Sequence, residues 1–242
     1  MSKGKLKQKA RFACPIFILY YAPFDFVLES VLLAVSNLCA VRDDRVLFEQ
    51  LDFALNTGEI MQVVGANGTG KTTLLNGLMG LAPFEQGQIT WHGQDISDNP
   101  TLFKQNVSFV GHLLGLKSLL TPLENLQFLS QLQQKKVTPT QIMAALKKVG
   151  LYGYEETPIA NLSAGQKRRV ALARLFIEQS PLWVLDEPFT AIDHAGVQAL
   201  ETWLIEHAQQ GGMVLLTTHH VFNPEFPLRR LDLARYRAVE MR

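Results

Sequence analysis

The most constraining feature of this 242-residue sequence is a glycine-rich loop at residues 65–72. The loop consists of Gly65, Ala66, Asn67, Gly68, Thr69, Gly70, Lys71 and Thr72, and it matches the pattern G-x-x-x-x-G-K-[ST]. An apolar, β-branched run at 59–64 precedes it, and apolar residues at helical spacing follow from Leu74. A strand, a tight turn and a helix N-terminus in this order direct backbone N–H groups at phosphate oxygens.

The end of this loop carries three side chains with separate expected tasks. We expect Lys71 to reach the β- and γ-phosphates of ATP, Thr72 to offer its hydroxyl to Mg²⁺, and Thr73 to add a phosphate contact. A glycine-rich turn matches the pattern by chance in about 1% of chains of this length, and less often between a strand and a helix. The sequence therefore predicts a site for ATP and Mg²⁺.

A second motif, Leu-Trp-Val-Leu-Asp-Glu at residues 182–187, is typical of a buried strand that ends in two carboxylates. Parallel sheets bind ligands at the carboxyl ends of their strands, so Asp186 is expected beside the phosphate loop, where it would hold Mg²⁺ through water. Glu187 is the expected general base for the attacking water. Acidic turns after strands are common, and only the phosphate loop upstream favours the catalytic interpretation.

Composition restricts the class of protein further. The chain is 47% hydrophobic and 19% charged, with 17 Gly and 11 Pro, which excludes disordered, collagen-like and coiled-coil proteins. Its two cysteines, Cys14 and Cys39, exclude a disulfide framework and a four-cysteine zinc site. The net charge of +1 depends on basic residues clustered at 3–11, so the remainder is mildly acidic. This charge distribution argues against nucleic-acid binding.

The hydrophobic pattern predicts one α/β domain from about Leu32. Strands are expected at 32–38, 46–55, 59–64, 88–93, 107–110, 182–185 and 213–216, and helices at 74–81, 121–132, 140–149 and 163–177. Strands at both ends of the chain with helices between them indicate a mostly parallel core with an inserted helical subdomain at about 112–178.

Residues 1–31 are predicted to lie outside this fold. Basic side chains precede an apolar run at 12–24, which prolines interrupt. This run is too short for a bilayer span of about 20 residues. Three interpretations remain: an extension from an upstream start codon, an interfacial anchor, or a signal sequence. We favour the extension from an upstream start codon, because the folded pattern begins near residue 32. A signal sequence would instead carry the ATP-binding domain out of the cytoplasm, away from ATP.

Residues 162–166, Leu-Ser-Ala-Gly-Gln, form a capping box in which Ser163 and Gln166 open a helix. A well-capped helix would explain these residues alone. Followed by an apolar strand ending in Asp-Glu, however, they resemble the signature motif of ABC ATPases. The resemblance covers about residues 32–223 and leaves 224–242 as a short C-terminal tail. It implies a P-loop NTPase fold of the ABC type, with an antiparallel β subdomain and the inserted helical subdomain.

The resemblance also implies that two chains share each nucleotide site. In ABC ATPases the signature motif closes over the γ-phosphate that another subunit's phosphate loop holds. Ser163, Gly165 and Gln166 are therefore implied as nucleotide contacts of a homodimer, and Ala164 replaces the usual first glycine of the motif.

Two further segments resemble family motifs near the γ-phosphate. Residues 190–193 resemble the D-loop, which crosses the dimer interface. His219 follows an apolar run and two threonines, and it resembles the switch histidine that contacts the γ-phosphate and orients water. His220 is the weaker candidate, because the family usually has Asp there.

Two residues depart from the family pattern. His112 stands where the family usually has Gln after a strand, and its imidazole can bind metal or hydrogen-bond water. Arg42 stands where an aromatic ring usually stacks on adenine, and its planar guanidinium can stack instead. A solvated turn arginine is the alternative for Arg42.

The motif details narrow the resemblance to the CcmA family, the ATP-binding subunits of bacterial cytochrome c maturation systems. The residues that carry it lie at 42–45, 111–112, 123–126 and 162–175. It implies a homodimer at the cytoplasmic face of the inner membrane, which contacts the membrane through integral CcmB, with CcmC and CcmD. Hydrolysis would power haem export or release of the haem-loaded periplasmic chaperone.

Three alternatives to this function remain. The chain could serve another ABC exporter of drugs or lipids, act as a non-transport ABC ATPase, or bind nucleotide without hydrolysis. The presence of Lys71, Asp186 and Glu187 argues against the last.

Overall fold

The computed structural model describes residues 32–237, so the interpretations of residues 1–31 lie outside the described residues. This range contains nine strands, six α-helices and two short 3₁₀ helices. The strands are β1 (Leu32–Arg42), β2 (Arg45–Asn56), β3 (Ile60–Val64), β4 (Gln86–Trp91), β5 (Gln94–Asp95), β6 (Val107–Val110), β7 (Leu182–Asp186), β8 (Met213–Thr217) and β9 (Arg229–Asp232). The helices are α1 (Lys71–Leu78), α2 (Pro100–Gln105), α3 (Pro122–Leu132), α4 (Pro139–Lys148), α5 (Ala164–Glu178) and α6 (His194–Gln209). None of these helices is long and apolar enough to cross a membrane.

A sheet of five parallel strands, in the order β6-β7-β8-β3-β9, forms the centre of the domain. Every residue of β7 and β8 is buried, as expected for parallel strands covered on both faces. The register pairs Asp186 with Thr217, Thr217 with Val63, and Val110 with Leu185. The segments that follow β3, β6, β7 and β8 therefore meet at one edge, which is where such sheets bind ligands. The predicted α/β fold is confirmed.

A second sheet is antiparallel, with the order β2-β1-β4-β5. Its β1–β2 hairpin turns at Asp43 and Asp44, whose φ angles of 51° and 58° suit a tight primed turn. The sheet shares a hydrophobic core with α1 and the parallel sheet, to which Phe48, Leu74 and Leu215 belong.

The three α-helices at residues 122–178 pack around a second hydrophobic core. Three of them begin with a complete capping box, formed by Thr121 with Glu124, Thr138 with Gln141, and Ser163 with Gln166. Their apolar residues, such as Leu126 and Ile142, join a second core with Leu185 of β7. This core fixes the start of α5 relative to the sheet.

The structure differs from the predicted elements at helices α1, α2 and α6 and at strands β5 and β9. Helix α6 and the two-residue strand β5 have no counterpart among the predicted elements. Helix α1 begins at Lys71 and ends at Leu78, earlier than the predicted 74–81, because Gly80 adopts a left-handed φ of 68°. Strand β9 pairs with β3 inside the region assigned to a C-terminal tail. Within β9 only Leu231 is buried, so no alternating pattern signals the strand. Helix α2 was not predicted either, since Phe103 is its single buried residue.

His207 on α6 is a buried histidine whose charge state affects stability. Its ring stacks on Trp183 of β7 with a centroid separation of 3.8 Å, and its Nε2 lies 3.2 Å from the carbonyl oxygen of Pro181. Burial lowers the pKa of His207 from 6.5 to about 4, although hydrogen bonding to the backbone opposes the shift. Between these pH values the unfolded chain binds a proton that the folded chain does not. The free energy of unfolding should therefore fall as the pH decreases through this window.

We expect the His207 contribution to cost up to about 3 kcal/mol of unfolding free energy between pH 7 and pH 4. His207→Gln removes the titrating ring and should flatten this part of the pH dependence, whatever the substitution costs at pH 7. His92→Gln, at an exposed position, should keep the wild-type slope. Urea unfolding at several pH values measures all three proteins, and a wild-type slope in His207→Gln would contradict a neutral, buried His207.

Candidate active site

The phosphate loop leaves β3 at Gly65 and enters α1 at Lys71. Gly65 has a φ of 153°, and a Cβ there would lie 2.6 Å from Thr69 Oγ1. Gly70, the N-cap of α1, has a φ of 98°, and its Cβ would press on Leu47 and Phe48 of β2 at 3.1 Å. Both positions require glycine, because the backbone is left-handed and its surroundings are close.

The ammonium group of Lys71 binds backbone carbonyl groups of the phosphate loop. Its Nζ donates to the carbonyl oxygens of Gly65 at 2.7 Å and Ala66 at 3.2 Å. Thr69 is buried and donates from Oγ1 to the Ala66 carbonyl at 2.9 Å. Asn67 and Gly68 are exposed at the tip. The loop thus presents a positive charge and the start of α1, which together favour an anionic ligand.

Asp186, at the carboxyl end of β7, lies beside the phosphate loop as predicted. It is buried, and Thr72 Oγ1 donates to its Oδ1 at 3.3 Å. Thr217 Oγ1, from the end of β8, donates to the same oxygen at 2.6 Å. These contacts hold the carboxylate toward the first turn of α1. Thr73 is half-buried one residue further along.

Glu187 and His219 contact each other across the ends of β7 and β8. The His219 backbone N–H donates to Glu187 Oε2 at 3.3 Å, and its Nε2 lies 3.7 Å from Glu187 Oε1. Glu187 has a left-handed φ of 49°, and its N–H donates to both the carbonyl and the hydroxyl oxygen of Thr217 at 3.1 Å. Such a conformation persists only where its surroundings hold it, and functional sites concentrate such strain. The structure brings together the predicted base and the predicted switch histidine.

His220 is held by other groups than Glu187. Its Nε2 lies 2.7 Å from Glu201 Oε1, and its ring stacks on Phe189 with a centroid separation of 4.5 Å. Phe222 meets the same ring edge-on. Of the two histidines, His219 is therefore the one that contacts Glu187.

The signature residues lie at the start of α5, which packs against the D-loop residue Ala191. Ser163 Oγ accepts the Gln166 N–H at 3.2 Å, and Gln166 Oε1 accepts the Ser163 N–H at 2.9 Å. A Cβ at Gly165 would lie 2.4 Å from the Ala191 carbonyl oxygen, whereas Ala164 is exposed. Glycine is thus required at 165, and a methyl group is tolerated at 164. Within residues 32–237, no hydrogen bond joins Ser163 or Gln166 to the phosphate loop.

Arg42 and His112 are both exposed, and neither takes part in the contacts described above. Arg42 ends β1, and its side chain is 72% exposed with a 3.6 Å ion pair to exposed Asp43. The hairpin continues into Leu47 and Phe48, which lie close to Gly70 of the phosphate loop. Exposed pairs of this kind contribute little energy, so the guanidinium can leave Asp43 for a ligand. His112 is exposed, two residues beyond β6.

Two buried polar residues at the carboxyl edge of the parallel sheet, Thr217 and Gln62, were not predicted from the sequence as part of the site. Thr217 holds both Asp186 and the backbone of Glu187, and Gln62 in β3 donates from Nε2 to the Thr218 carbonyl at 3.1 Å. For each of them, the sequence signal was a single polar residue in an otherwise apolar strand. Buried polar residues need hydrogen-bond partners, and here the partners are Asp186, the backbone of Glu187 and the backbone of Thr218.

The chain matches known proteins over most of its length. The family model described as ABC transporter matches residues 48–190. A relative from Vibrio parahaemolyticus, named cytochrome c biogenesis ATP-binding export protein CcmA, is 49% identical over 203 residues, covering 84% of this chain and 99% of the relative. The chain belongs to the ABC transporter family and to its CcmA group. The resemblance seen in the sequence is therefore confirmed.

Solved structures of ABC proteins share this fold. An ATP-binding subunit of an ABC transporter is 26% identical, with a TM-score of 0.71, over 78% of this chain and 79% of the other. The ATP-binding cassette MJ0796, solved as a dimer bound to ADP and Pi, has a TM-score of 0.71 at 20% identity, over 83% and 94% of the two chains. The ABC assignment identifies the nucleotide site as that of an ATPase whose hydrolysis is coupled to transport.

Proposed function

We propose that this chain is the ATP-hydrolysing subunit of a bacterial ABC complex for cytochrome c maturation. The observation that carries the proposal is the similarity to CcmA, which extends over 99% of the relative's length. The finer assignment, a haem-transporting ATPase, rests on the cytochrome c biogenesis named for these relatives. Hydrolysis would power haem export or release of a haem-loaded periplasmic chaperone.

The proposed catalytic unit is a homodimer with two shared sites. Ser163, Gly165 and Gln166 lie at a helix start that makes no hydrogen bond to the phosphate loop within residues 32–237, and Ser163 is exposed there. The loop's tip, around Asn67, is also exposed. Each surface can therefore meet the other in a second copy, as in a symmetric two-fold interface. The MJ0796 cassette, which was solved as a dimer, supports this arrangement.

In this proposal the chain's own residues divide the hydrolysis of ATP among them. The loop N–H groups and Lys71 hold the β- and γ-phosphates. Glu187 takes the proton of the attacking water, and His219, whose ring lies against that carboxylate, orients the water and contacts the γ-phosphate. In the partner chain, the Ser163 hydroxyl and the N-terminus of α5 stabilise the charge that develops on the γ-phosphate.

The residues beside the phosphate loop suit Mg²⁺. A hydroxyl and a carboxylate, from Thr72 and Asp186, stand 3.3 Å apart, and both offer the hard oxygen ligands that Mg²⁺ takes together with water and phosphates. The described residues hold no cluster of three or more His, Cys, Asp and Glu that suits a metal. Bound Mg²⁺ would neutralise phosphate charge. His112 remains a proposed auxiliary ligand of metal or water.

The proposed partners are integral-membrane CcmB, with CcmC and CcmD, and the proposed location is the cytoplasmic face of the inner membrane, with membrane contact through CcmB. If the chain instead serves an exporter of drugs or lipids, only its membrane partner differs from this proposal. Affinity purification from membranes of a strain expressing the tagged chain at its native locus, followed by mass spectrometry, separates the two. We expect CcmB-type subunits. Recovery of a drug or lipid exporter subunit instead would overturn the assignment to cytochrome c maturation.

Arg42 is proposed to stack on adenine. Stacking by a guanidinium is worth about 0.5–2 kcal/mol, so Arg42→Ala should weaken ATP binding by several-fold to about 30-fold. Arg42→Tyr should restore most of the affinity, since an aromatic ring can take the same place. Arg45→Ala, at the paired position of the hairpin, is the control and should bind normally. Titration with a fluorescent ATP analogue measures the affinities, and normal binding by Arg42→Ala would leave Arg42 a solvated turn residue.

A further inference from the structure

Arg168 is a buried cation on the helix that carries the signature motif. It lies in the second turn of α5 and is only 5% exposed, which is rare for an arginine without a structural partner. Its Nη1 donates to the carbonyl oxygen of Gly111 at 3.2 Å. Gly111 follows β6 directly and precedes His112. A side chain five residues after Ser163 thus holds the segment that leaves the edge strand of the sheet.

A second arginine of α5 binds the same strand in the same way, further from the site. Arg174 Nη1 donates to the carbonyl oxygen of Phe109 at 3.2 Å, and its Nε donates to Glu178 at 2.8 Å. One arginine therefore binds a carbonyl group within β6 and the other binds a carbonyl group just beyond its end. Arg174 is neutralised by Glu178 on its own helix, whereas Arg168 has no acidic residue one turn away.

Two carboxylates at the end of β7 influence the charge of Arg168. Burial lowers the pKa of Arg168, and the carboxylates of Asp186 and Glu187 oppose that shift. The contact that Arg168 makes is its hydrogen bond to Gly111, which links α5 to the segment after β6.

We propose that Arg168 is a positioning residue that couples the signature helix to the segment after β6. Its hydrogen bond ties the start of α5 to Gly111, the residue before His112. A shift of α5 when Ser163 engages nucleotide in the partner chain is then passed to the segment around His112. The proposal rests on the shared site proposed above, and it assigns Arg168 no contact with ATP.

Substitution at Arg168 tests this coupling in the assembled complex. Arg168→Met removes the donor and the charge while keeping an apolar stem, and we expect kcat to fall by about 10- to 100-fold with KM for ATP within about two-fold of wild type. Arg168→Lys keeps a charge and one donor, and should restore kcat to within about five-fold of wild type. The control is Arg174→Met, which should lower the melting temperature without lowering kcat.

Amide hydrogen exchange of the purified chain gives a second measurement that does not depend on turnover. Peptides covering residues 111–116 should exchange at least about ten-fold faster in Arg168→Met than in wild type or Arg174→Met. Unchanged exchange there, or equal kcat in the two Met variants, would overturn the coupling role. Failure of the wild-type complex to hydrolyse ATP would overturn the proposed function instead, and the exchange result would still decide the role of Arg168.

Discussion

Replacing Glu187 with Gln should lower ATP turnover by about 10²- to 10⁴-fold, the usual contribution of a general base, while ATP binding remains intact. The amide has nearly the same shape as the carboxylate but cannot accept the proton of the attacking water. The phosphate-holding residues, Lys71 and Thr72, are unchanged in this variant. The variant should therefore accumulate as a dimer with ATP trapped between its chains.

A neighbouring carboxylate provides the control for this substitution. Glu201 binds His220, and no hydrogen bond among residues 32–237 joins it to Glu187. Glu201→Gln should change turnover by no more than a few-fold. Phosphate release in the purified complex and size-exclusion chromatography with ATP measure the two effects. Wild-type turnover in Glu187→Gln would show that Glu187 is not the general base.

The parts of the site that could be predicted from the sequence are those with local signals. The phosphate loop at 65–72 carries its own strand–turn–helix context, and the Ser163–Gln166 capping box depends on residues three apart. Strands β7 and β8 were predictable because parallel strands in the centre of a sheet are apolar throughout.

Contacts between distant segments account for what the sequence did not reveal. Thr217 reaches Asp186 from a neighbouring strand, and Arg168 reaches Gly111 from a helix far along the chain. Strand β9 is defined only by its pairing with β3. These features depend on which elements become neighbours, and no residue pattern within the segments themselves encodes that choice.

Replacing Ser163 with Arg should lower turnover by at least about 10²-fold, because a large side chain blocks the surface that meets the partner's γ-phosphate and a donor to it is lost. The substitution also removes a helix cap, which costs about 0.5–2 kcal/mol of stability. Thr138→Arg is the matched control, since Thr138 caps α4 in the same way with Gln141. It should lose similar stability but keep its turnover, as measured by thermal unfolding and phosphate release.

The central claim, that two chains share each site, is tested most directly by pairing two inactive variants. One chain carries Lys71→Ala and the other Ser163→Arg, and the two are co-expressed with different tags and the membrane partners, then purified through both tags. In the mixed dimer one site combines an intact phosphate loop with an intact signature motif. We predict ATP turnover at least about ten-fold above either variant alone, and up to about half of wild type. Turnover no higher than that of the separate variants would contradict a site built from two chains.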